Sequence, residues 1–73
     1  MTELGLTNEE KIGVIESHIK NVQYTKYNAE LTLIEENALQ SPNADAVQRA
    51  NSAIANAESQ IAALEAQIAA LTE

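Results

Sequence analysis

Cysteine, tryptophan and phenylalanine are absent from this sequence of 73 residues, and histidine and proline each occur once. Without cysteine the chain can form neither a disulfide bond nor a thiolate zinc site. The single histidine, His18, cannot build a histidine metal cluster. A chain of this length buries only about 60% of its unfolded surface and usually needs a disulfide, a metal or a partner chain to be stable. Oligomerisation is the source of stability that remains.

Basic residues are also scarce. Four lysines and arginines stand against eleven acidic residues, which gives a formal net charge of -7 at pH 7. Nucleic acids and anionic membrane surfaces are bound by cationic faces, so we expect neither as a partner. No apolar run approaches the ~20 residues of a membrane span. The N-terminal residues lack the basic and apolar regions of a signal peptide, and we expect a soluble, cytoplasmic protein.

The last third of the chain is a heptad repeat. It reads IANAESQ, IAALEAQ and IAALTE from residues 54, 61 and 68. β-branched residues occupy the a positions and alanine or leucine the d positions, which is typical of a coiled coil. The apolar row consists of Val47, Ala50, Ile54, Ala57, Ile61, Leu64, Ile68 and Leu71.

The first part of the chain predicts another long helix. Thr7 and Glu10 have the spacing of a capping box, in which each side chain bonds the other residue's backbone N–H. The first helix is therefore predicted from about residue 8 to about residue 39. Residues 1–6 are predicted to be a short, loosely ordered lead-in.

One break separates the two helices. Ser41 before Pro42 predicts an N-cap followed by the first helical position, where proline is well tolerated. The turn is therefore assigned to residues 40–43 and the second helix to about residues 43–72. A short connection between helices of similar length predicts an all-α antiparallel hairpin, with residues 1–73 as a single domain.

The hairpin can be checked within the sequence. If the turn is centred between residues 41 and 42, facing residues have numbers that sum to about 83. The row on the second helix then meets a row on the first that contains Ile12, Ile15, Ile19, Val22, Ala29 and Leu33. We call these two facing rows the seam. Two charged residues interrupt it and are expected at its rim. Lys26 should reach towards Glu30 or Glu58, and Glu36 should turn towards Arg49.

The first helix carries a second apolar row that the hairpin does not use. With Ile12 at a, its members fall at the outer positions f and b. This outer row consists of Tyr24, Tyr27, Leu31, Ile34 and Ala38. The second helix has small residues at its own outer positions, namely Ala55, Ala62, Ala63, Ala66, Ala69 and Ala70. Small residues there would allow another helix to approach closely.

Soluble monomers rarely expose an apolar strip of this kind. We therefore predict that the outer row is an oligomer or partner interface. Its simplest form is a homodimer in which two hairpins make a four-helix bundle with two-fold symmetry. Two alternatives stay open: the row belongs to a wider core, or the assembly is a trimer or a longer array.

No catalytic, cofactor-binding or metal-binding site is predicted, and we expect no enzyme. His18 has no Glu-x-x-His partner of the kind used by di-iron bundles. The serines have no neighbouring base that would activate a nucleophile. Glu35 and Glu36 are adjacent on a helix, so their side chains point about 100° apart and form no acid/base dyad.

The run IAALEAQ from residue 61 looks like generic coiled-coil sequence. The hairpin as a whole resembles in outline the small RNA-binding bundles of the Rop type. That resemblance implies an architecture alone, because RNA binding in that family depends on a basic helix face that this chain lacks. No residue is carried over from it.

These observations predict a structural or adaptor protein that self-associates and recognises an unknown protein partner through helix–helix packing. The alternative is an acidic helical inhibitor, or a DNA-mimic decoy, that binds a basic protein. A second architecture also stays open. If residues 41–42 only kink the chain, the second helix could pair in parallel with its own copy, as Ile at a and Leu at d allow.

Overall fold

Two α-helices form the chain in a computed structural model that describes residues 5–72. Helix α1 spans Asn8–Asn37 and helix α2 spans Ala44–Thr72, and they pack against each other. The predicted all-α antiparallel hairpin is confirmed, and the alternative in which residues 41–42 only kink the chain is wrong. Residues 1–4 of the predicted lead-in, and residue 73, lie outside the described residues. Neither described helix is both long and apolar enough to cross a membrane.

The start of α1 is a reciprocal capping box, as predicted. The Thr7 hydroxyl accepts a hydrogen bond from the backbone N–H of Glu10 at 3.1 Å, and the Glu10 carboxylate accepts one from the N–H of Thr7 at 2.8 Å. Two N–H groups that have no partner within the helix are thereby satisfied. Both Glu9 and Glu10 lie in the first turn, where the helix dipole favours negative charge.

The start of α2 differs from the prediction. The side-chain oxygen of Asn43 accepts hydrogen bonds from the N–H groups of Asp45 at 2.9 Å and Ala46 at 3.1 Å. Asn43 is therefore the N-cap, and the prediction that Ser41 caps this helix is wrong. Asparagine and serine are comparable caps. The later start leaves Pro42 outside the helix, where its fixed φ suits a turn and no N–H is required.

Helix α1 also ends earlier than predicted, at Asn37. The N–H of Leu39 donates to the carbonyl of Glu36 at 3.1 Å, a three-residue spacing that closes the last turn tightly. The Glu36 side chain does not bond Arg49 as expected; its carboxylate accepts a hydrogen bond from the N–H of Asn43 at 3.0 Å. In a local capping box the third helical residue would provide this acceptor, but in α2 that residue is Ala46. Glu36 completes the cap of α2 from α1.

Replacing Glu36 by alanine should lower the free energy of unfolding by about 1 kcal/mol, because the Asn43 N–H loses its acceptor at the turn. Urea unfolding followed by circular dichroism measures this change. The matched control is Glu35→Ala, which removes an exposed carboxylate from the same turn. Because Glu35 lies at the negative end of the helix dipole, its removal should cause no loss. Equal losses in the two variants would contradict the capping role.

The core of the hairpin is thin. Every residue of the predicted seam is buried or half-buried, and so are Lys26 and Glu36. The most deeply buried of the described residues are all alanines: Ala29, Ala50 and Ala57. Lys26 reaches Glu58 with 3.4 Å between its Nζ and the carboxylate, one of its two expected partners. Since no large described side chain is fully buried, packing within one hairpin provides limited hydrophobic stabilisation.

Among residues 5–72, one hydrogen bond joins the open end of the hairpin. The Asn8 side-chain amide donates to the backbone carbonyl of Leu71 at 3.2 Å. Leu71 lies in the last turn of α2, where backbone carbonyls have no partner within the helix. The first residue of α1 therefore satisfies one of the free carbonyls in the last turn of α2.

Gly13 is the one glycine inside a helix, and no atom beyond its two chain neighbours and the adjacent backbone of α1 lies within 4 Å of the position that a Cβ would take. Glycine weakens a helix interior relative to alanine because it has more backbone freedom to lose on folding. Gly13→Ala should therefore raise the free energy of unfolding by about 0.5–1 kcal/mol, measured by thermal unfolding. A loss of stability would show that another chain approaches the backbone at this position.

Candidate functional site

The outer row lies on the side of α1 that faces away from α2. At 3.6 residues per turn, its centre is about 150° around the helix from the seam. Tyr24, Tyr27 and Ile34 are 62%, 59% and 65% exposed, and Leu31 is 36% exposed. Ala38, also exposed, is the C-cap of α1 and ends the row beside the turn. All five residues of the row are thus accessible to another molecule.

Helix α1 holds these side chains in fixed positions along one line. The helix runs without a break from residue 8 to residue 37, and the full row, from residue 24 to residue 38, rises through nearly four turns. Side chains on a regular helix are better positioned for recognition than side chains on a loop. The row therefore presents a preformed surface of the kind that packs against another helix.

The flanks of the outer row are mainly uncharged amides. Asn21, Asn28 and Glu35 lie along one side, and Gln23, Glu30 and Asn37 lie along the other; all are exposed except the half-buried Glu30. Apolar strips with polar rims are characteristic of interaction sites. This rim occupies the heptad positions next to the row and was not among the residues predicted for the interface.

The size of the strip is notable for so small a chain. A fully covered aromatic side chain buries about 150–250 Å², and leucine and isoleucine lie near the lower end of that range, so at the observed exposures the four large residues present on the order of 400 Å². That is within the range of about 300–600 Å² of the largest apolar patch on a typical monomer, a patch that is often functional. Here it lies on a two-helix chain whose own core is thin.

The remaining exposed large apolar residues are scattered. Leu6 precedes α1, Val14 lies near its start and Leu39 lies in the turn. Single exposed apolar residues of this kind are normal on protein surfaces. The outer alanines that the sequence places on α2 are all exposed, so this side of α2 is lined with small side chains.

The concave surfaces of the described residues are shallow. A groove beside the start of α2, lined by Pro42, Val47 and Ala55 among others, is open to solvent. No group of three or more His, Cys, Asp or Glu residues that could hold a metal ion occurs within residues 5–72. His18 is exposed on α1 and lies outside the outer row. The outer row is therefore the candidate functional site.

No protein-family model matches this chain, and no curated protein or solved structure is significantly similar to it. The molecule is a two-helix antiparallel hairpin with an exposed apolar row on one helix. Its candidate function rests on that row and on the thin core behind it.

Proposed function

We propose that this protein is a non-enzymatic structural or adaptor protein that acts through self-association and helix–helix contact with another protein. The outer row is the contact surface, and a homodimer of hairpins with four helices is the proposed assembly. The observation that carries the proposal is the combination of four large exposed apolar side chains in one row with a core whose buried residues are three alanines.

The physical reason is that covering the exposed outer row would add the stability that the thin core does not provide. A single hairpin gains little from its seam, while the outer row leaves apolar surface in contact with water. A second hairpin that covers the outer row removes this surface from water and stabilises both chains, because binding only to the folded state shifts the folding equilibrium. The absence of cysteine suits a cytoplasmic location, which is part of the proposal.

The test is the solution mass of the protein by light scattering across a range of concentrations. The expected mass is twice the 7.9 kDa of one chain. Because dimerisation is coupled to folding, the midpoint of thermal unfolding should rise with protein concentration. A stable monomer whose unfolding midpoint does not depend on concentration would contradict self-association.

The charge of the chain favours a second candidate function. A formal net charge of -7, with Lys26–Glu58 the one ion pair among the described residues, leaves many carboxylates free. An acidic helical inhibitor or DNA-mimic decoy would use them to bind a basic protein, with an affinity that falls steeply as salt is added. Binding through the outer row would depend only weakly on salt, so a salt titration separates the two functions.

A further inference from the structure

The outer row has the spacing of a second antiparallel seam. Within the hairpin, antiparallel pairing aligns apolar residues whose numbers sum to about 83, so that an a position meets a d position. The same rule applied to two copies of α1 aligns residues whose numbers sum to about 58. Tyr24 then meets Ile34 of the second copy, and Tyr27 meets Leu31 of the second copy. All four large residues of the row fall into matched layers.

We propose that the partner of the outer row is a second copy of this chain, bound antiparallel through α1, with the two-fold axis at the level of residue 29 along the helix. The two α1 helices form the inner pair of the four helices, and the two α2 helices form the outer pair. This inference rests on the proposed self-association and specifies its geometry. The turns of the two hairpins lie at opposite ends of the dimer.

Pairing of two outer rows covers both apolar strips at once. Together, the eight large side chains of the two copies lose on the order of 800 Å² of exposed apolar surface when both outer rows are covered. Stable interfaces begin at about 1,200 Å² in total, so the rim residues must also be covered in the dimer. Coverage by a partner without a matching row would bury about half as much apolar surface.

The distribution of charge favours antiparallel over parallel pairing of the two α1 helices. In a parallel pair, Lys20 would lie beside its own copy, Glu30 would lie opposite Glu35 of the second copy, and the two helix dipoles would be aligned. In the antiparallel pair, Lys20 lies level with Ala38 of the second copy. The last turn of α1 contains no basic residue, so the second copy provides a cation for that negative helix end.

One like-charge contact remains in the antiparallel pair, because Glu30 lies near the axis and therefore near its own copy. Lys26 is located one turn before Glu30 on the same helix, a spacing at which opposite charges attract. The flanking amides are better matched. Asn28 meets its own copy across the axis, and an amide can both donate and accept a hydrogen bond.

Another arrangement, in which the outer row packs on α2 of the second copy, is less favourable. The corresponding positions on α2 are Ser52, Ala55, Ser59 and Ala62, all exposed and all small. Such a contact buries less apolar area than pairing of two outer rows. It is also heterologous, so that each copy keeps an unpaired surface and chains add to an open array instead of a closed dimer.

The geometry can be tested with spin labels, because the chain has no cysteine and one introduced cysteine carries one label. Asn21 and Asn28 are both exposed and lie one heptad apart on the same side of the outer row. In the antiparallel pair, the two copies of residue 28 are offset by about 3 Å along the helix axis, and the two copies of residue 21 by about 24 Å. With helix axes about 8–10 Å apart, the label–label distance in Asn21→Cys should exceed that in Asn28→Cys by about 15 Å.

Each labelled protein is first shown to have the same mass as the unlabelled wild type, and the distances are then measured by pulsed dipolar spectroscopy. Equal distances at the two positions would indicate a parallel pair and overturn this geometry, while self-association would stand. A mass that grows beyond a dimer with concentration would overturn the closed pair and indicate the open contact with α2. A wild-type protein that is monomeric throughout would remove both this inference and the proposed function.

Discussion

Leu31→Glu should convert the proposed dimer into a monomer at the same protein concentration and should reduce the helical signal of the protein. Leu31 lies within the outer row and is the least exposed of its four large side chains, with Tyr27 and Ile34 one turn away on either side. On assembly, the new carboxylate would be transferred from water into the interface with no opposite charge beside it, which costs several kcal/mol. Since about 1.4 kcal/mol corresponds to a tenfold change, the dissociation constant should rise by at least about 100-fold.

The loss of helical signal follows from the thin core. Without the second copy, the hairpin retains the seam, in which the buried residues are three alanines. Light scattering measures the mass, and circular dichroism at matched concentrations measures the helix content. The control is Gln60→Glu, which adds the same charge at an exposed position of α2 outside the outer row. It should keep the wild-type mass. A Leu31→Glu protein that also has the wild-type mass would show that the outer row is not the interface.

The helices and their pairing could be predicted because both depend on local or periodic features. The capping box of Thr7 and Glu10 involves residues three positions apart, and its geometry follows from sequence spacing alone. The heptad of α2 fixes one face of that helix, and an independent apolar row on α1 matches it in antiparallel register. Agreement between two separate patterns is a stronger indication than either pattern alone.

The turn could not be predicted in detail, because its geometry depends on contacts between the helices. Ser41 and Asn43 are both good caps, and sequence spacing does not decide between them. The structure selects Asn43, whose N–H bonds the carboxylate of Glu36 across the turn. That bond exists only once the hairpin has formed. A one-dimensional pattern therefore assigned Glu36 to the rim and missed its role in the cap.

The candidate site, like the hairpin, could be predicted in part from the sequence. The spacing of Tyr24, Tyr27, Leu31 and Ile34 identified an apolar row outside the seam, and in the structure these residues are exposed. Their exposure follows from helical geometry, since a residue far around the helix from the seam has no neighbour within a two-helix fold. The molecule that covers the row belongs to the assembly and not to the fold of one chain. The second copy is inferred from the self-complementary spacing and charge of α1.

Ala57→Leu should cause a large loss of stability. Ala57 is 2% exposed and is the most deeply buried of the described residues. Its layer also contains Lys26, which crosses the seam to reach Glu58 at 3.4 Å. Leucine adds three carbon atoms where the helices already touch, and overpacking of this kind costs about 1–3 kcal/mol. For a domain of this size, each 1 kcal/mol lowers the unfolding midpoint by about 4–8 °C.

The matched control for this prediction is Ala55→Leu, which makes the same change two residues earlier on the exposed side of α2. Surface substitutions of this kind usually change stability by no more than about 0.5 kcal/mol. Thermal unfolding of both variants is compared with wild type at one protein concentration, so that any coupling between assembly and folding is held constant. Equal losses of stability in the two variants would show that tight packing at Ala57 is not the cause of the loss. The helices would then be able to move apart at this layer without cost.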